Sequence, residues 1–282
     1  MCLAAIAVAQ SERFPWVVAS NRDEFFARAA APLAWWQPAP GRPPVLGGRD
    51  LVGGGSWLGL SAAGRLALVT NVREPGRFDP AAPSRGALVT DALAVPQADE
   101  HWLAGLRQVP RNGFNLLVAD LAVPQLLWVG NRAGAGAQRR LGAGLYGLSN
   151  AALETPWPKV LRLKARLAQA LAAQADADGD ADVDALAEAL FAALADRTPA
   201  PDAELPATGV PLARERQLSP AFIRIAGDDR GGAEAAVYGT RCSTLVIAER
   251  RGSRHPRLHT RVIERRFDAT GAVAGQTALS LP

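Results

Sequence analysis

Short apolar runs closed by polar or glycine-rich turns recur at the beginning, in the middle and at the end of this chain, and that distribution limits its fold more than any other feature. Leu3–Ala9 and Trp16–Ser20 flank the polar segment QSERFP, the pattern of two strands joined by a hairpin loop. The stretch LGGRDLVGGGSWLGLSAAGRLALVTN alternates apolar runs with glycine clusters, as further strands joined by tight turns would. FNLLVAD, QLLWVG and STLVIAE add more. Helical spacing falls between these groups. In PWPKVLRLKARLAQALAAQ, Val160, Leu163, Leu167 and Leu171 share one face, with arginine and lysine on the others. Val183, Leu186, Leu190 and Leu194 repeat that spacing, and SRGALVTDALA predicts a third helix. Strands and helices do not alternate one by one, so a layered α+β arrangement is expected in place of a Rossmann-type sheet. With 282 residues, 49% hydrophobic and 21% charged, the chain can bury a large core, expected as a single domain over 1–282.

Charge and cysteine content exclude several classes. The net charge is +4, carried almost wholly by dispersed arginines, with Lys159 and Lys164 the only lysines, so no nucleic-acid surface is expected. The run Arg250, Arg251, Arg254, Arg257 and Arg261, beside His255 and His259, reads as a solvated hairpin, with a phosphate-binding patch as its alternative. Two cysteines, Cys2 and Cys242, make no disulfide framework and no zinc spacing, which fits a reducing, cytoplasmic compartment. No positive charge precedes Leu3, and Gln10, Ser11 and Glu12 break the apolar run, so neither a signal peptide nor a membrane span is expected.

The metal and phosphate motifs fail on inspection. Asp176, Asp178 and Asp180 have calcium-loop spacing, but Ala181 stands where the loop needs glycine and Ala187 where it needs glutamate. GGGSWLG lacks the phosphate-loop lysine, and Leu58 takes the last glycine position of G-x-S-x-G. His255 and His259 are four apart but Pro256 intervenes, and with His101 they make no ligand pattern. No metal or cofactor is expected.

Cys2 is the remaining candidate, for a chemical reason. A small second residue ordinarily permits removal of the initiator methionine, which would leave a cysteine with a free α-amine. That amine titrates at about 7.7–8.0 and can take the proton from its own thiol. The bland alternative is a small apolar residue starting a buried strand. An oxyanion site also needs fixed neutral donors, and a thiolate needs cations. Asn, Arg and Asp stand at the ends of apolar runs in VVASNRDEFF, LALVTNVRE, LYGLSNAALETPWPK and VYGTRCSTLVI.

These stretches, with GGRDLVGGGSWLG and GFNLLVAD, resemble the NRDE family, the transport and Golgi organisation protein homologues. That family in turn resembles N-terminal nucleophile hydrolases of the cholylglycine hydrolase and penicillin V acylase type. The resemblance implies a four-layer αββα sandwich and an amidohydrolase acting on a non-peptide C–N bond of a small molecule. It matches Cys2 to the nucleophile, Asn71 and Asn150 to the oxyanion asparagines, Arg241 to a thiolate-stabilising arginine, and Arg22 and Asp23 to the pair beside thiol and amine. Arg22 and Asp23 are adjacent and would face opposite sides of a regular strand, so either the strand ends there or Asn21 or Glu24 takes one role. Cys242, next to Arg241, is placed near Cys2. Trp35, Trp36 and Trp57 line an acyl pocket or pack the core. A different class of function is also implied: a binding or trafficking protein without turnover, with haem as its ligand and Cys2 as an axial thiolate.

Overall fold

The computed structural model describes residues 2–132, 134, 137–174, 183–226, 237–252 and 257–281. The aspartates of the calcium-like segment, Asp176, Asp178 and Asp180, lie outside the described residues, as do Arg254, His255 and Pro256. Along the chain come β1 (Cys2–Val8), β2 (Trp16–Phe25), β3 (Ala30–Trp36), β4 (Val45–Asp50), β5 (Leu58–Leu60), β6 (Arg65–Asn71), α1 (Gly86–Ala94), α2 (Glu100–Leu106), β7 (Phe114–Asp120), β8 (Gln125–Gly130), β9 (Gln138–Leu141) and β10 (Gly144–Leu148). There follow α3 (Pro158–Ala172), α4 (Val183–Leu194), α5 (Leu212–Leu218), β11 (Arg224–Ile225), β12 (Tyr238–Arg251), β13 (Arg257–Phe267) and β14 (Val273–Leu281). Every pairing is antiparallel. Sheet A runs β10-β1-β2-β12-β13-β14, with β11 added to β12; sheet B runs β3 to β9 in sequence order.

The period of two along a strand assigns the layers. In β1, Ala4, Ile6 and Val8 point between the sheets, where they meet Leu58, Leu68, Leu117 and Trp128 of sheet B. Leu3, Ala5 and Ala7 point the other way and bury against Val160, Leu163 and Leu167 of α3 and Leu186 and Leu190 of α4. A third core joins α1 and α2 to the outer face of sheet B through Leu88, Val89, Leu103, Leu116 and Val129. The result is the expected four-layer αββα sandwich. No helix among the described residues is long and apolar enough to cross a membrane.

Several boundaries differ from the sequence reading, each for a physical reason. β2 does not stop at Ser20 but continues through the polar SNRDEF, because its backbone stays paired to β1 on one side and β12 on the other. The basic hairpin is the junction of the long strands β12 and β13, and β14 follows as an edge strand. Its side chains alternate between exposed and half-covered, a pattern with too little apolar contrast to read from sequence. Lys159 is not on a solvent face of α3: it is 2% exposed, in the first helical turn after Pro158.

Candidate active site

The start of β1 and the polar end of β2 meet at a cavity of about 840 Å³, a size typical of small-molecule sites. Register fixes the first contacts. Cys2 is paired with Arg22 across β1 and β2, and Arg22 with Cys242 across β2 and β12. Residues paired across neighbouring strands share a face, so Cys2, Arg22 and Cys242 form a row pointing between the sheets. Two strand spacings separate the cysteines, about 10 Å, which is beyond disulfide reach. Cys242 is therefore not a neighbour of Cys2. It packs in the inner core, and burial first, then the charge of Glu264, pushes its thiol well above the usual range.

Arg22 and Asp23 do face opposite sides, and the strand does not end there. Arg22 is buried, stacks 4.4 Å over the Trp57 ring, and lies 3.7 Å from Asp50. Asp23 points toward the helices and accepts a 2.7 Å hydrogen bond from Thr240 Oγ1. Burial raises its carboxyl above the usual range, against the lowering pull of Lys159 and of the amino terminus. Both residues still border the cavity, because it opens at the strand end where both faces are reachable. Asn21 has a structural job: its Nδ2 donates to the carbonyls of Leu194 and Ala221 at 2.9 Å each, and its Oδ1 accepts from Ser243 Oγ at 2.6 Å. It pins α4 and the segment before β11 to sheet A. Glu24 borders the cavity, with its carboxylate bonded to the Phe25 amide.

Asn71 ends β6 on the opposite wall, and among the described residues its side-chain amide has no hydrogen-bond partner. Asn150 lies just beneath: its Nδ2 donates to the Asn71 carbonyl at 2.9 Å, and its own carbonyl accepts from the Arg73 amide at 2.7 Å. Ser149 Oγ lies 3.1 Å from the Cys2 carbonyl and 3.3 Å from Asn150 Oδ1. The Ser149–Asn150 pair thus ties β1 of sheet A to β6 of sheet B and sets the gap between Cys2 and Asn71. Asn150 is buried behind the wall and does not line the cavity.

Arg241 is not on the wall either. It sits in a β-bulge between Thr240 and Cys242, and its Nη1 donates to the carbonyls of Phe25, Phe26 and Arg28 at 2.8–3.1 Å. Its guanidinium clasps the turn after β2 and stacks over Phe26. Of the three tryptophans singled out, Trp57 borders the cavity; Trp35 is 40% exposed and Trp36 packs toward α1.

The thiol itself departs from expectation. Burial pushes Cys2 above the ordinary thiol range, and the positive amino terminus and Arg22 only partly offset this. A buried thiol without a close base stays protonated. Sequence reasoning also missed three groups. Lys159 donates from Nζ to the Leu218 carbonyl at 3.0 Å, and burial, opposed by Asp23, lowers it to about 8. Tyr238 lines the cavity, and its hydroxyl bonds the Asp23 carbonyl. Arg85, on the far wall, is half-buried. Lys159 and Tyr238 sit inside the quoted PWPK and VYGTR stretches, and Arg85 lies near the start of SRGALVTDALA, which predicts only a helix. Among the described residues no cluster of three His, Cys, Asp or Glu could hold a metal.

Comparison with known proteins bears on the whole chain. The bovine Transport and Golgi organization protein 2 homolog is 34% identical over 84% of this chain and 83% of its own length. The mouse homolog is 31% identical, again over 84% and 83%. Solved structures similar to it include a conjugated bile acid hydrolase of Clostridium perfringens, with 9% identity, 92% of both chains covered and a TM-score of 0.38. Another is a Caenorhabditis elegans N-acylethanolamine-hydrolyzing acid amidase ortholog, with 12% identity, 87% of this chain and 92% of that one covered, and a TM-score of 0.46. The Transport and Golgi organisation 2 family model matches residues 1–269, and the chain belongs to that family.

Proposed function

We propose that this protein is a cysteine N-terminal nucleophile amidohydrolase acting on a small, acylated substrate. The observation that carries the reading is the facing of Cys2, the first residue of β1, and the unengaged amide of Asn71 across one cavity. Removal of Met1 would place an α-amine on Cys2 itself. Because burial disfavours the thiolate, the thiol proton must pass to that amine as sulfur attacks, and Asp23, sensitive to charge at the amino terminus, would hold the ammonium that forms. The new C–S bond places negative charge on the substrate oxygen, which the Asn71 amide would stabilise. Collapse breaks the C–N bond, the ammonium proton leaves with the amine, and water attacks the thioester to release the acid and restore the thiol. Asn150 and Ser149 hold the two walls in register, and Arg241 fixes the turn that carries Arg28. These are positioning roles.

The test is covalent. Processed protein mixed with lauroyl p-nitroanilide should acquire one lauroyl group on Cys2, seen by intact mass and peptide mapping, and should release p-nitroaniline; Cys2→Ala should do neither. Native protein that keeps Met1, or turnover that survives Cys2→Ala, would overturn the reading.

The rival reading is a carrier without turnover, and the buried, protonated thiol is what favours it. Haem as its cargo fits poorly: no histidine or methionine borders the cavity among the described residues, and axial ligation by Cys2 needs the thiolate that burial disfavours. A Soret band unchanged by Cys2→Ala is expected on haem titration.

A further inference from the structure

The arginines around the cavity are not equally employed. Arg73 is committed to Glu215 at 2.5 Å. Arg28 and Arg22 share the single carboxylate of Asp50, at 2.8 and 3.7 Å, and the buried Nη1 of Arg22 has no hydrogen-bond partner. Arg85 forms no ion pair among the described residues; of its five N–H groups one donates, to the Gly113 carbonyl at 3.2 Å. Two carboxylates of the lining act on it: Glu74 is paired with Arg132, and Glu24 forms no ion pair among the described residues. Glu74 accepts from Arg132 Nε and Nη2 and from the Gly113 amide, and Glu24 accepts from the Phe25 amide.

The backbone reinforces this charge. Arg85 is the N-cap of α1, its own side chain makes no cap bond, and the first turn holds no acidic residue. The Gly86 N–H donates to Ser84 Oγ at 3.3 Å and the Leu88 N–H to the Arg85 carbonyl at 3.0 Å, so the helix start adds its dipole to the guanidinium charge. Its position is fixed by Gly55, where an added Cβ would lie 2.2 Å from the Gly86 carbonyl carbon, so only glycine admits the helix this close. Arg28 comes to the same place, since a Cβ on Gly53 would lie 2.9 Å from Ser84 Oγ and 3.2 Å from Arg28 Nη2. Arg22 and Arg28 therefore share one carboxylate, Asp50, close to the start of α1 in the lining of the cavity that holds Cys2.

We infer that this end of the cavity is an anion subsite in which Arg85, with Arg28 and Arg22 beside the start of α1, binds the carboxylate of an acylated substrate. A carboxylate matches the fork of a guanidinium, and a half-buried guanidinium without an ion pair gains from one. The inference rests on the amidohydrolase reading for where the scissile amide lies. The anion contact itself is read by binding alone.

The probes are N-lauroylglycine and N-lauroylglycinamide, which differ by a carboxylate against a carboxamide. Dissociation constants are measured by calorimetry on the Cys2→Ala protein, which cannot consume either. The glycine conjugate should bind at least tenfold more tightly than the glycinamide, and inorganic phosphate should compete with it. Arg85→Gln should bring the two within twofold while leaving glycinamide binding unchanged, and Arg85→Lys should keep part of the preference. Equal binding of the two probes, binding of neither, or a preference that survives Arg85→Gln in a folded protein would overturn the subsite. Preference without turnover in the Cys2 protein would refute the hydrolase and leave the subsite standing; turnover without preference would do the reverse.

Discussion

The two sheets bury different kinds of residue. Among the described residues the charged residues buried as a whole are Arg22, Asp23, Lys159, Glu215, Glu249 and Glu264, and all belong to sheet A or to the helices on its side. The strands of sheet B and its helices α1 and α2 bury apolar residues and uncharged polar ones such as Thr70, Thr90 and Asn115; Arg73, just past β6, has a side chain 6% exposed and reaches across to Glu215. Buried charge costs stability unless it is paired, and even a paired charge seldom improves on a well-packed apolar group. Sheet B is therefore built as a wall, and sheet A accepts a stability cost at the end where the cavity opens.

The strongest way to break this comparison is in the wall. Leu117, on β7, is 1% exposed and packs between the sheets, so Leu117→Ala should cost about 3–4 kcal/mol. Chemical denaturation measures it, and a cost under about 1 kcal/mol would mean that sheet B is not the rigid half.

The charged half should instead betray itself through pH. The folded state lowers Lys159 to about 8, against about 10.4 for an unfolded lysine. Below pH 8 both states hold the proton and the full penalty applies; between pH 8 and about 10.4 the unfolded state binds more, so stability rises with pH. The wild type should gain up to about 3 kcal/mol relative to Lys159→Met over that window. Parallel stability curves for the two proteins would show that the fold does not lower Lys159.

A smaller effect separates polar structure from polar function. Asn21→Ala leaves the carbonyls of Leu194 and Ala221 and the Ser243 hydroxyl without partners, and should cost about 2 kcal/mol by denaturation. Lauroylglycinamide binding should be unaffected; a loss of binding would move Asn21 into the site. Smallest of all, the Arg140–Glu100 pair, 53% and 48% exposed, joins β9 to α2 on the outer side of sheet B. Arg140→Ala should shift stability by no more than about 0.5 kcal/mol, as surface pairs do.

Sequence alone determined the parts that local chemistry controls. Alternation in Leu3–Ala9 and the 3.6-residue spacing of Val160, Leu163, Leu167 and Leu171 are properties of single elements, and they correctly implied helices laid over sheets. Chemistry singled out Cys2, and the family resemblance added Arg22, Asp23 and Asn71, which border one cavity with it, and Asn150 and Arg241, which do not. What only tertiary structure decided is which polar groups remain free. Asn21 and Asn71 are the same residue type at comparable strand positions, yet one is consumed by helix carbonyls and the other faces the cavity. Arg241 and Arg85 differ in the same way: a bulge turns the first onto three carbonyls, while the approach of α1 to Gly55 leaves the second lining the cavity. Hydrogen-bond satisfaction is settled by partners tens to hundreds of residues away, and no local pattern encodes them.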